Sequence, residues 1–118
     1  MDAIGGIEVA LGVRYPASFH ARVNELMTLA GSERFQQAFP ATSLLLTAEE
    51  VRAARKEVGG RLVPFMRSAA EHPDIYAFEP GGESSEPKVV VWCVHTTVHE
   101  WPDFEQFLAW VRKTCDES

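Results

Sequence analysis

Four stretches in the second half decide the fold: Leu62-Val63-Pro64-Phe65-Met66, Asp74-Ile75-Tyr76-Ala77-Phe78-Glu79, Lys88-Val89-Val90-Val91-Trp92 and Phe104-Glu105-Gln106-Phe107-Leu108. The first three are short, apolar and rich in β-branched or aromatic residues, which favours strands. Pro64 has no N–H for a ladder, so it marks an edge or a bulge. Ile75, Ala77 and Glu79 alternate with Tyr76 and Phe78 at period two. Val89–Val94 is apolar on both faces, as a strand in the middle of a sheet must be. In the fourth stretch Phe104, Phe107, Leu108 and Val111 recur at helical spacing, Asp103 stands at the N-cap, and Arg112 and Lys113 lie near the expected end.

Outward from these, the first half reads as helical. Ile4, Ile7 and Leu11 share one face of a helix over Asp2–Leu11, and Gly12 suits a left-handed stop. Pro16 opens a second helix whose stripe is Phe19, Val23, Leu26, Met27 and Ala30. Ser32–Ser43 is mixed and reads as loop with at most a turn of helix. Leu44–Leu46 suits a short buried strand. Thr47-Ala48-Glu49-Glu50 is a capping box, with the Thr47 hydroxyl accepting from the Glu50 amide and Glu50 reaching back to Thr47. That helix runs to about Val58 and stops at Gly59-Gly60. Pro80–Pro87 is a connection too long for a two-residue hairpin. Thr96-Thr97-Val98 is open between strand and loop. The expected fold is α+β: a twisted, mainly antiparallel sheet of about four to six strands, packed with N-terminal helices and a C-terminal helix, in a single domain over 1–118.

Composition narrows function. The hydrophobic share of 46% and charged share of 24% are those of a globular domain. Seventeen acidic against eleven basic residues give a net charge of −6, unsuited to nonspecific nucleic-acid binding. Charge is also segregated. Arg52, Arg55, Lys56, Arg61 and Arg67 face only Glu57 between Val51 and Ala70. Glu71, Asp74, Glu79, Glu83, Glu86, Glu100, Asp103 and Glu105 face only Lys88 thereafter. Such a dipolar surface steers a charged partner or serves solubility alone. No basic leader with an apolar run opens the chain, and no apolar run approaches a membrane span. Cys93 and Cys115 are too few for a disulfide framework and read as reduced thiols of a cytoplasmic protein, with a single bridge between them left open.

The order of these elements resembles the SUKH superfamily, which includes fungal cell-wall-assembly regulators and bacterial toxin-immunity proteins. Leu11-Gly12-Val13-Arg14-Tyr15-Pro16 resembles its early "LGv.LP..y" element, and Leu44–Val51 its leucine strand leading into a helix. Leu62-Val63-Pro64-Phe65, Ile75-Tyr76-Ala77-Phe78 and Val89-Val90-Val91-Trp92 resemble its successive core strands, and Phe104-Glu105-Gln106-Phe107-Leu108 its closing helix. The chain departs from the family pattern at Gly31-Ser32, at His72-Pro73-Asp74 and at Glu79. The resemblance implies a non-catalytic binding domain, foremost an immunity protein that neutralises a cognate toxin such as a nuclease. A regulatory or scaffold module of the same fold is the alternative.

Candidate chemistry is sparse. His95 and His99 have the i, i+4 spacing that binds zinc on a helix, but on a strand it separates them by about 13 Å. Cys93 and His95 lack the reach of a dyad, and Cys93 reads as a small hydrophobe. No metal or other cofactor is expected, and a metal or thiol enzyme is the least favoured class. The expected partner is a toxin protein with a basic surface, neither nucleic acid nor membrane. The residues assigned to its recognition are Glu79, Glu83, Glu86, His99, Glu100 and Trp101, acids and aromatics around the strand ends. Trp101 has a competing role, stapling the start of the last helix.

Overall fold

The structure is a computed structural model that describes residues 3–59, 61–69, 71, 73–80, 86–93 and 96–117. The helices are α1 (Ala3–Leu11), α2 (Ala17–Ala30), α3 (Glu33–Ala38), α4 (Ala48–Val58) and α5 (Phe104–Glu117). The strands are β1 (Thr42–Leu44), β2 (Val63–Ser68), β3 (Ile75–Glu79), β4 (Lys88–Cys93) and β5 (Thr96–Trp101). They form one sheet in the order β1-β2-β3-β4-β5 with every neighbouring pair antiparallel. The α+β architecture expected from the sequence is therefore the one observed.

Local chemistry accounts for the ends of the elements. Gly12 takes φ 65° at the close of α1, and Gly59 takes φ 94° after α4, a region that L-residues avoid. The Thr47 hydroxyl accepts from the Glu50 N–H at 3.2 Å. The Glu50 carboxylate reaches one residue further back than expected, accepting from the Leu46 N–H at 3.4 Å. Asp103 accepts from the Gln106 N–H at 2.9 Å, completing the predicted cap of α5. Pro64 marks a bulge, where the β2–β3 register shifts between Pro64 and Met66.

Four expectations need correction. The segment read as loop contains α3, whose Ser32 Oγ accepts from the Phe35 N–H at 3.2 Å. Six residues are too few for a periodic signal, so the cap was its only mark. The leucine strand lies earlier, at Thr42–Leu44, although the Leu45 N–H still donates to the Phe65 carbonyl at 2.9 Å. The strand quoted as Leu62–Met66 starts instead at Val63 and runs to Ser68. Helix α5 extends to Glu117, so Arg112 lies inside it and pairs with Glu25 of α2 instead of capping its end.

One aromatic core joins helices to sheet. Phe19 of α2 is fully buried, with ring centroids 4.9 Å from Tyr15, 5.5 Å from Phe65, 5.3 Å from Phe78 and 5.2 Å from Phe104. Phe107 of α5 continues the cluster to Tyr76 at 5.7 Å. The Tyr15 hydroxyl donates to the Pro64 carbonyl at 3.0 Å, which satisfies its polar end inside the core. On the other side of β3 and β4, Ile75, Ala77 and Val90 are also fully buried. That two-sided burial is why these strands read as continuous apolar runs. Trp92, in the run whose apolar faces both suggest burial, is only partly buried.

Candidate functional site

Cross-strand partners in a sheet share a face, so the register sorts the six expected recognition residues. Glu79 lies opposite Lys88, and Lys88 alternates onto the same face as Val90, which lies opposite Glu100. Glu79, Lys88 and Glu100 thus form a charged row across β3, β4 and β5, with Lys88 Nζ 3.6 Å from the Glu100 carboxylate. Glu86 sits two residues before Lys88, and its carboxylate accepts from the Ser18 hydroxyl of α2 at 3.0 Å. Glu83 lies outside the described residues.

The remaining two residues are on the other face. His99 pairs with Val91, and Trp101 with Val89. Neighbours in sequence, His99 and Glu100 therefore point to opposite sides of the sheet. The His99 ring lies 4.3 Å from that of Trp101 and 6.3 Å from that of Trp110. Trp101 itself is 7% exposed, packed 4.9 Å from Phe107 and 4.8 Å from Trp110. Its assignment as an exposed interface anchor is corrected: it closes the core beneath the start of α5, the packing role weighed against it. Trp110, not assigned to any site, forms an aromatic shelf with His99 and also meets Phe39 at 5.4 Å. Its helical spacing from Phe107 was the one hint available in the sequence.

The charge segregation survives folding. Arg52 and Lys56 are exposed on α4, which packs against β2 toward the β1 side of the sheet. The carboxylates of Glu79 and Glu100 flank Lys88 at β3–β5, whereas that of Glu86 is turned to Ser18 of α2. Elsewhere ions pair between elements: Arg22 of α2 reaches Glu105 of α5 at 3.3 Å, and Arg67 of β2 reaches Glu57 of α4 at 3.9 Å. These exposed pairs add little stability each.

The thiols are poorly suited to nucleophilic work. Partial burial and then the hydrogen bond and negative charge of Asp74 push the Cys93 thiol above its ordinary value. Burial, with Asp116 adding to it, does the same for Cys115. Since the thiolate is the nucleophile, both shifts lower reactivity. Both cysteines are unbridged. His95, the expected neighbour of Cys93 and His99, lies outside the described residues. Among the described residues no three His, Cys, Asp or Glu side chains converge as a metal site. Open grooves lie among the described residues. One of about 410 Å³ between α2 and α5 is lined by Glu25, Thr28, Leu29, Arg112 and Asp116. Another, of about 330 Å³, lies beside α4 and includes Ser43, Glu50 and Arg67. Neither holds any of the expected recognition residues.

Among the described residues no helix is long and apolar enough to cross a membrane. Comparison with protein-family models, with curated proteins and with solved structures finds no match. The class that the fold defines is thus an α+β domain with an antiparallel five-stranded sheet.

Proposed function

We propose that this chain is a non-catalytic protein-binding domain of the SUKH kind: a cytoplasmic immunity protein that seats on a basic toxin, foremost a nuclease, and covers its active site. The observation that carries this reading is the row of Glu79 and Glu100 about Lys88 at one end of β3–β5, away from the bases of α4. A nuclease presents a surface built for phosphate, and a carboxylate-rich patch on a rigid sheet competes for it electrostatically. The raised Cys93 thiol supports binding over thiol catalysis. The order of elements quoted from the sequence supplies the family context.

The test is protection. Cells expressing a toxin encoded beside this protein should survive when the chain is co-expressed. The double variant Glu79→Lys, Glu86→Lys should bind the purified toxin with a slower on-rate and a flatter dependence on salt, because peripheral charges act mainly on encounter. Full-strength, salt-dependent binding by the folded double variant would remove these carboxylates from the interface. Failure to protect against any neighbouring toxin would remove the immunity reading itself.

A further inference from the structure

The two edges of the sheet are built differently. At β1 the edge is three residues long and covered. The Thr42 N–H donates to the Phe39 carbonyl at 3.3 Å, and the Gln36 side-chain amide donates to the Thr42 carbonyl at 3.2 Å. At β5 the edge is six residues long, and among the described residues it pairs only with β4. Thr96, Thr97, Val98, His99 and Glu100 are all exposed. The outward N–H and C=O groups of such a strand are a template for one more strand. Two devices on β5 limit that, a bulge and a charge, while lysine and proline are absent from it. The bulge is Val98, the extra residue between Thr97, opposite Trp92, and His99, opposite Val91. It leaves His99–Trp101 as the regular stretch beyond it.

The charge, Glu100, decides which strand this edge admits. Across the sheet the row runs Glu79 on β3, Lys88 on β4 and Glu100 on β5, so its signs alternate. A cation in the next position continues the alternation, whereas a carboxylate there would oppose Glu100 and destabilise the pairing. The net charge of −6 acts in the same sense at longer range and repels a second copy of the chain. On the other face of β5, His99 stands 6.3 Å from the partly buried Trp110. Val98 adds exposed apolar surface, retaining 56% of its own. Side chains of an added strand alternate between the faces, so those flanking the cation fall on the aromatic side.

Resting on the reading above of a basic partner, we propose that β5 takes up an extended basic segment of that partner protein as a sixth strand. A lysine or arginine of the segment stands beside Glu100, and its apolar neighbours stand beside His99 and Trp110. Main-chain hydrogen bonds to the edge hold the segment, and the alternation of basic and apolar residues selects it. The regular stretch is short, so a peptide of this kind binds weakly by itself.

The probe is a blocked hexapeptide alternating lysine with valine, titrated into the purified full chain. Amide exchange at Thr96–Glu100 should slow, with exchange on β1 unchanged. A peptide with glutamate in place of lysine should leave β5 as it was. So should one alternating lysine with proline, which keeps the charge but cannot complete a ladder. Glu100→Gln should weaken binding of the lysine–valine peptide about threefold and Glu100→Lys about tenfold, with melting curves in place. No slowing with the lysine–valine peptide, equal slowing with either control, or a folded Glu100→Lys protein that binds like the parent would each overturn the proposal. Exchange at Thr96–Glu100 that slows with protein concentration alone would give the edge to a second copy and overturn it too. Protection against a toxin is read separately. A chain that protects cells while its β5 ignores the peptide loses this docking edge and keeps the immunity role. A chain whose β5 takes the peptide selectively but protects nothing keeps the edge and loses that role.

Discussion

Replacing Phe19 by alanine tests whether the aromatic cluster holds this fold together. The ring is fully buried at the meeting point of α2, β2, β3 and α5, within 5.5 Å, centroid to centroid, of Tyr15, Phe65, Phe78 and Phe104. Burial of a phenylalanine side chain is worth about 1.5–3 kcal/mol by transfer alone. The cavity and lost ring contacts raise the cost of deletion to about 3–5 kcal/mol. Three of those rings come from three other elements and the fourth, Tyr15, from the turn leading into α2, and they cannot all collapse into the gap, so the upper part of that range is expected. The assay is urea unfolding followed by circular dichroism. With a slope of about 2 kcal/mol per molar, a loss of about 4 kcal/mol lowers the midpoint by about 2 M. Met27→Ala on the same helix is the control. Met27 is 42% exposed, and its loss should stay within about 0.5 kcal/mol. A Phe19→Ala protein that loses less than about 1 kcal/mol, or that matches the Met27 control, would refute a core organised on this residue.

Two further predictions concern local features. Thr47→Ala removes the acceptor for the Glu50 N–H at the start of α4 and should cost about 1 kcal/mol in urea unfolding, with Thr47→Ser restoring most of it. Equal stability of the alanine and serine variants would show that the cap contributes nothing. Glu8 carries a pH dependence. Burial raises its carboxyl, but the Tyr15 N–H, His20 and Arg14 outweigh that and hold it below its ordinary 4.5. A depressed carboxyl stabilises above its unfolded value, and that stability is lost as pH falls through the folded one. Glu8→Gln should therefore be less stable than the parent near neutrality and converge with it well below pH 4.5. A gap that stays constant across that window would show that the charge of Glu8 is not what matters.

Much of the scaffold was legible because its causes are local. Of the stripe of Phe19, Val23, Leu26, Met27 and Ala30, which depends only on helical spacing, the first three are buried in α2, Ala30 is partly buried and Met27 is exposed. The caps at Thr47 and Asp103 depend on residues within one turn of each other. Pro64 announces its own bulge by lacking an N–H. Helix α3 escaped because its six residues are held by a cap and by packing of Phe35 on Phe39 at 4.8 Å, not by a repeating pattern.

By itself the sequence determined most of the helices and strands and most of the side chains that are buried, since these follow from spacing, capping and hydrophobicity along the chain. Only the tertiary structure decided which of the expected recognition residues stand together. Thr97 and His99 would share a face in a regular strand, but the register shift opposite Val91 and Trp92 separates them: Thr97 pairs with Trp92 and His99 with Val91. The same shift leaves Glu100 on the row with Lys88 and Glu79, while His99 turns to the aromatic shelf and Trp101 into the core. Because side chains alternate at period two, one extra residue reverses the face of everything beyond it. The extra residue at Val98 is set by pairing with β4, a strand whose register the chain fixes only once it has folded.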